Sequence, residues 1–365
     1  MQLNNLKPKI IDWYIIRKFI GTYFFSILVI SVIVVIFDLS EKVDDFAKTK
    51  PSLYTVVVNY YMNFIPYIAN MFSPFFVFIT VIFFTSKMAG HSEIIAILSG
   101  GVSFRRLMYP YFLSTLIIFV MTLTLSLFVI PPANSVRLSF EEQYLGKKVS
   151  NNSSNIHFQL DDNRYVYMSN FSTWDNSALK FSLEEFDGPK LRSKLTSDQA
   201  LWDTTFNGWR VQNYVIRTID DSTEIITRGA TLDTVIAITV ADLRRYKEMN
   251  QSLNLWELNE AIQRFAARGD DNIKFALIEK HTRIAVPFSV FVLTLMGVSL
   301  SSRKMREGMG IKIGVGIALS FCYILFLRFS EMFVYADTLP PFIALWLPNI
   351  LFAFVAVALY IKAPK

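Results

Sequence analysis

The chain has one cysteine and three histidines among 365 residues. Cys322 lies inside an apolar run, so no intrachain disulfide forms and cysteine usage says nothing about redox compartment. His91, His157 and His281 are far apart in the topology read below and share no metal site, which leaves them ordinary surface roles. No G-x-x-x-x-G-K-[ST] run occurs, so the chain binds no nucleotide through a P-loop. Gly308-Met-Gly310 is too short for one, and there is no G-x-S-x-G elbow to raise a nucleophile. An enzyme reading has no support: no catalytic residue, metal or cofactor is expected.

Charge is also scarce. Only 18% of residues are charged, against about 25% in ordinary soluble domains. Apolar residues make up 53% and cluster in six runs: Phe19–Phe37, Ile65–Thr85, Tyr111–Ile130, Ile284–Leu300, Ile313–Tyr335 and Phe342–Ile361. Each is near the length of about 20 residues that crosses a bilayer as a helix. Three precede and three follow a polar middle long enough to be a domain. Residues 129–280 hold 18 basic and 21 acidic side chains, a balance of −3, which leaves +9 for the rest. An acidic middle argues against a nucleic-acid patch there. The first run has a long apolar region and no A-x-A site, so it reads as a retained helix and not a cleaved signal.

The basic surplus sits in residues 1–18, in loops 87–108 and 301–312 (Arg303, Lys304, Arg306, Lys312), and at Lys362 and Lys365. The positive-inside rule places these segments and both termini in the cytoplasm and the middle outside. The third span is expected to stop at Pro131-Pro132. The middle has strand texture: near-alternation over Asn155–Met168 around Asp161-Asp162-Asn163, then Ala178–Phe186, Gln199–Trp202, Trp209–Arg217 and Glu224–Thr227. From about Ser252 the period becomes helical. Leu255, Leu258, Ile262 and Phe265 form one stripe, with Asn254 and Glu257 as a capping box and Gly269 as a stop. The fold class is therefore an α-helical membrane protein, six transmembrane helices arranged 3+3, with an inserted all-β jelly-roll-like domain. Residues 1–130 form the first membrane half, 131–250 the β domain, and 251–365 the amphipathic helix and second membrane half.

Three groups carry functional interest. Lys87–Pro110, KMAGHSEIIAILSGGVSFRRLMYP, is too polar to span. Glu93–Leu98 reads as a short helix with one apolar face, broken by Ser99-Gly100-Gly101. Such a helix in a basic loop can receive force from a cytoplasmic partner. Second, Lys42, Arg137, Lys147 and Lys148 gather at the outer membrane boundary. Cations there hold the phosphates or carboxylates of an anionic lipid, or are simply solvated charge. Third, Arg328 and Glu331 share a face of the fifth span. They are an intramembrane functional pair or a self-satisfied pair at the outer interface. Gly310, Gly314 and Gly316 permit close helix approach, a common pattern.

The layout and several local strings together resemble the lipopolysaccharide export permease family (YjgP/YjgQ, LptF/LptG type) over essentially the whole chain. Tyr14-Ile-Ile-Arg17-Lys18-Phe19 is similar to its opening helix. Glu93 through Leu98, with Ser99-Gly100 and Arg105, resembles its coupling helix. Glu279-Lys-His281-Thr-Arg283-Ile-Ala-Val-Pro287 and Gly297-Val-Ser-Leu300 resemble the start of its fourth helix. The form Asp38-Leu-Ser-Glu41-Lys42 looks like the Bacteroidetes branch.

The resemblance implies a permease subunit of an ABC transporter in the bacterial inner membrane, extracting lipopolysaccharide and passing it to a periplasmic bridge protein of jelly-roll fold. It implies a cytoplasmic ATPase dimer and a second homologous permease, or a second copy of this chain, as partners. Glu93, Ile94, Ile97, Leu98 and Arg105 would couple to the ATPase. Lys42, Arg137 and Arg328 would meet lipid. The alternative is a mechanotransmitting ABC permease of the macrolide-exporter or cell-division type that carries no lipid; four spans are usual there.

Overall fold

The computed structural model describes residues 9–145, 153–172, 175–220, 223–236, 238, 246–267, 269, 272–302 and 309–363. Lys147, Lys148, Arg303, Lys304 and Arg306 lie outside them. Contacts divide the chain into two compact units, residues 1–47, 51–137 and 277–365, and residues 48–50 and 138–276.

The first unit is built on six helices long and apolar enough to cross a membrane. In chain order these are α1 (Ile10–Thr49), α2 (Leu53–Gly90), α4 (Phe104–Tyr144), α7 (Ile273–Ser301), α8 (Met309–Tyr335) and α9 (Pro341–Ile361), with a short α3 (Glu93–Ser99) after α2. Two helices outrun the expectation. α1 does not end near Asp38, because no breaker follows until Pro51 and Asp38 pairs with Lys42 one turn on. α4 does not stop at Pro131-Pro132. A π-helical stretch, Leu125–Val129, lies just before the prolines, and the helix runs on to Tyr144. A wider turn there accommodates carbonyls that proline cannot satisfy.

α2 has its own π stretch, Val56–Tyr61. The Asn63 side chain donates to the carbonyls of Val58 and Asn59 at 2.9 and 3.1 Å, capping groups displaced from the ladder. The helices share a core in which Ile15, Phe19 and Tyr23 of α1 meet Val81 and Phe84 of α2, Tyr111 of α4 and Val298 of α7. Buried hydroxyls bridge helices: Tyr23 to Ser73 at 2.6 Å, Tyr111 to Thr85 at 3.0 Å and Thr115 to Thr294 at 3.0 Å. Of the three small residues on α8, Gly316 makes a close approach. A Cβ there would fall 2.3 Å from Ile82 Cδ1, while Gly310 and Gly314 face open space.

The second unit holds a six-stranded antiparallel sheet: β1 (Ser153–Gln159), β2 (Arg164–Ser172), β3 (Ser177–Asp187), β4 (Lys190–Asp203), β5 (Gly208–Asp220) and β6 (Thr223–Thr234). Strand order follows chain order. Among the described residues the sheet is thus an up-and-down meander, without the strand exchange of a jelly roll. Asp161 closes the first turn by accepting from the backbone N–H groups of Asn163 and Arg164 at 3.1 and 2.9 Å.

A crease crosses the sheet. In β3 the core-facing residues step from Ala178 to Phe181, in β2 from Met168 to Phe171, in β4 from Leu195 to Ala200, and in β5 from Val211 to Tyr214. An odd number of residues at each step reverses the two-residue alternation, which a flat strand would keep. The reversals fall in one band. Pairs 179↔199 and 181↔197 flank Lys180 and Asp198; pairs 199↔212 and 197↔214 flank Asn213. Lys180 and Asn213 take left-handed backbone, φ +49° and +51°. The apolar side chains above and below the band therefore join one cluster around Trp209, whose indole N–H donates to the Ile238 carbonyl at 2.9 Å. That bond holds the chain after β6 against the apolar face.

Two helices follow, α5 (Tyr246–Ser252) and α6 (Leu255–Ala267). The capping box is formed: Asn254 N–H donates to Glu257 Oε2 at 2.8 Å and Glu257 N–H to Asn254 Oδ1 at 3.0 Å. Leu258, Ala261 and Phe265 are the buried stripe of α6, and Gly269 beyond it has φ +62°.

Candidate functional site

Two places in the membrane unit gather charged side chains that the helices had to hold against an apolar background. The first surrounds α3. This helix lies between two left-handed residues, Ser92 at φ +64° and Gly101 at φ +83°. Seven residues bury a single stripe, and Ile94, 1% exposed, enters the same cluster as Ile15, Phe19, Phe104 and Leu107. Ile97 and Leu98 pack partly against that cluster. The large apolar residue that α3 leaves outside is Ile95, 45% exposed. Ile94 therefore faces its own subunit.

Polar links tie this segment to the start of α1. Arg106 Nη1 and Nη2 donate to Asp12 Oδ1 and Oδ2 at 2.8 and 2.5 Å. Asp12 is 2% exposed and also accepts from the Lys9 backbone N–H at 2.6 Å. The Tyr14 hydroxyl donates to Glu93 Oε2 at 3.2 Å, and His91 Nδ1 lies 3.7 Å from Glu93 Oε1. Ser103 caps α4 by accepting from the Arg106 N–H, so that Arg106 is turned toward α1 while Arg105 stays exposed. Sequence reasoning selected Glu93 and Arg105 but passed over Asp12, Tyr14 and Arg106, since nothing in their local spacing links positions 94 residues apart.

The second place joins the far end of α1 to α2 and α4. Lys42, 6% exposed, donates to Asp38 Oδ1 and to the Tyr60 hydroxyl, and Tyr60 donates to the same Asp38 oxygen at 3.2 Å. The ammonium lies 4.6 Å from the Tyr60 ring centroid and 5.7 Å from that of Phe64. The Arg137 guanidinium lies 5.8 Å from Phe64 and 5.1 Å from Tyr67. The structure thus brings together Lys42 and Arg137 on one aromatic ring. Cation–π attraction of this kind strengthens where water is excluded. Tyr60, Phe64 and Tyr67 are spaced four and three residues apart, a one-face helical stripe that was available to sequence reasoning. Asp38 was available too, as the i−4 partner of Lys42, once α1 is known to extend past it.

The third expected lipid contact, Arg328, donates to Glu331 Oε1 at 2.8 Å; Glu331 is buried and the Arg328 side chain is 55% exposed. The carboxylate is sheltered while the guanidinium reaches outward, the arrangement of a snorkelling pair.

The family model for the lipopolysaccharide export system permease LptF/LptG matches residues 13–362. A search of curated proteins finds no matching relative.

Proposed function

The chain belongs to the LptF/LptG family of lipopolysaccharide export permeases, and on that premise we propose that it is the transmembrane permease subunit of an ABC transporter in the inner membrane. A separate cytoplasmic ATPase dimer hydrolyses ATP. A second homologous permease, or a second copy, completes the membrane part. The termini and the α3 loop face the cytoplasm, and the β unit is periplasmic. The sheet is the chain's share of a jelly-roll-like groove that hands acyl chains to a periplasmic bridge protein of related fold.

One observation supports this reading best. The short helix α3 shares a packed cluster with the foot of α1 and is tied to it through Glu93–Tyr14 and Asp12–Arg106. A push on α3 then moves α1 with it. Glu93, Ile97, Leu98 and Arg105 meet the ATPase in this proposal, with Ile95 in the outward position that Ile94 does not hold. Lys42 and Arg137 receive the glycolipid phosphates, and Arg328 is a peripheral contact. The energetics call for such a machine, since withdrawing acyl chains into water costs about 0.8 kcal/mol per CH₂.

The test is reconstitution of the full chain with its ATPase in vesicles carrying lipopolysaccharide. ATP should drive the glycolipid out to a soluble β acceptor. Hydrolysis that proceeds while the glycolipid stays in the vesicle would point to the mechanotransmitting alternative and remove this proposal.

A further inference from the structure

The sheet has a second face that the apolar cluster does not use. Tyr165 and Tyr167 alternate with the core residues Val166 and Met168, so they lie on the side away from Trp209. The same alternation puts Ser182 and Glu184 of β3, and Lys194 and Thr196 of β4, on that side. Together they line a cavity of about 1120 Å³. Strand register sorts its floor into two rows. One runs from Gln159 through Tyr165 and Glu184 to Lys194. The next runs from His157 through Tyr167, Ser182 and Thr196 to Val215. Lys180, Asp198 and Asn213 of the crease border the second row.

This set is aromatic, rich in hydroxyls and amides, and balanced in charge. The His157 and Tyr167 rings lie 4.7 Å apart, and Tyr165 is 39% exposed. Lys194 is paired with Glu184 at 2.7 Å, and Lys180 is matched in number by Asp198. A charged ligand therefore meets no surplus of the opposite sign. An extended peptide finds no backbone to pair with, because β2, β3 and β4 each have a neighbour on both sides. The Ser182 hydroxyl, between Tyr167 and Thr196 in the second row, is buried and makes no hydrogen bond among the described residues. It is an unspent donor for a ligand that parts those two neighbours. Flat rings with polar tips, beside hydroxyls and amides, suit a sugar: its C–H faces lie on the tyrosines and its hydroxyls bond the polar groups. We propose that this face is a binding site for a neutral oligosaccharide that is separate from the exported lipid. The source follows from the sheet itself. Acyl chains on the apolar face would have the full sheet between them and this cavity, so the lipid's own sugars are not the occupant.

The test uses the full chain in phosphatidylcholine nanodiscs, free of sugar-based detergent. Chitotetraose and cellotetraose are the probes, read by saturation-transfer NMR and titration calorimetry. At least one should bind with a Kd at or below about 1 mM. Tyr165→Ala and Tyr167→Ala should each weaken it by about tenfold, and Tyr167→Phe, which keeps the ring, should lose less than Tyr167→Ala. Thr196→Trp fills the cavity from the polar face and should abolish binding, while a wild-type unfolding midpoint shows that the fold is intact. Failure of both tetrasaccharides to bind overturns the inference. So does equal binding by wild type, Tyr165→Ala and Thr196→Trp. Two further arms test the occupant. If only core oligosaccharide split from lipid A binds, the site belongs to the exported glycolipid and the proposal falls. If a capped Ser-Gly hexapeptide binds and the sugars do not, the face receives a protein segment and the proposal falls as well. None of these arms depends on lipid export, so failure of the transport reading leaves this one standing.

Discussion

Replacing Arg106 by methionine should be among the most damaging single changes at the foot of the membrane unit. The change keeps an apolar stem and removes the two N–H donors that hold Asp12. The Asp12 carboxylate, 2% exposed, would keep only the Lys9 backbone N–H. Stranding a buried charge costs about 3–5 kcal/mol. The carboxyl can escape by taking a proton, which at pH 7 costs about 4 kcal/mol from an ordinary pKa of 3.9. The loss is therefore capped near 4 kcal/mol. Arg106 itself is 27% exposed in its side chain, so solvent reaching the gap lowers the figure toward about 3 kcal/mol. Removing both partners, Asp12→Asn with Arg106→Met, should restore most of the loss, because two matched neutral groups leave no orphan charge. The assay is a double-mutant cycle on thermal unfolding of the detergent-solubilised chain. Near-additive losses, or an Arg106→Met protein as stable as wild type, would refute the reasoning and reduce the bidentate pair to a surface contact.

Glu93→Lys reverses the charge at the start of α3 and breaks the Tyr14 hydrogen bond, so copurification of the proposed ATPase should fall; binding at the wild-type level would remove Glu93 from the proposed docking surface. In the β unit, Trp209→Ala removes a fully buried ring and the bond to Ile238, a loss of about 3–5 kcal/mol that limited proteolysis of the middle of the chain should report. The Arg210 guanidinium holds the Asp233 carboxyl below the usual carboxylate range. That contribution is complete above the unfolded pKa of about 3.9 and is lost as pH falls through the lower folded value. Arg210→Met should therefore leave the β unit's acid unfolding less steep at the acid end, and an unchanged profile would discard the pair as a stabilising contact.

Much of this architecture can be read without coordinates because its signals are local. Six apolar runs, six strands with Asp, Asn and Gly between them, and the Asn254–Glu257 box each carry their signal within one stretch of chain, although β4 and β6 run well past the segments Gln199–Trp202 and Glu224–Thr227 expected there. The misjudged features depend on partners or on compensation. Pro131-Pro132 looks like a terminus until a π stretch just before it takes up the displaced carbonyls. Lys42 looks like a loop cation until α1 continues past it and supplies Asp38 as a partner. Ile94, Ile97 and Leu98 do form one face, as the spacing says, but on a seven-residue helix Ile94 is buried against the helix's own subunit with Ile97 and Leu98 partly packed beside it, and Ile95 is the large apolar residue left exposed. The pairing of Asp12 with Arg106 has no sequence signature at all.

The crease has a consequence for how this domain can change over time. The strands β2 to β5 count their side chains inward and outward from the band at Lys180, Asp198 and Asn213, and these four count in step. Losing one residue from a single strand near that band would turn half of its apolar side chains to water while its neighbours kept theirs. Length can drift at the hairpin ends, where an extra residue disturbs nothing beyond the turn. Across the middle, the strands are free to trade residue types but not residue number.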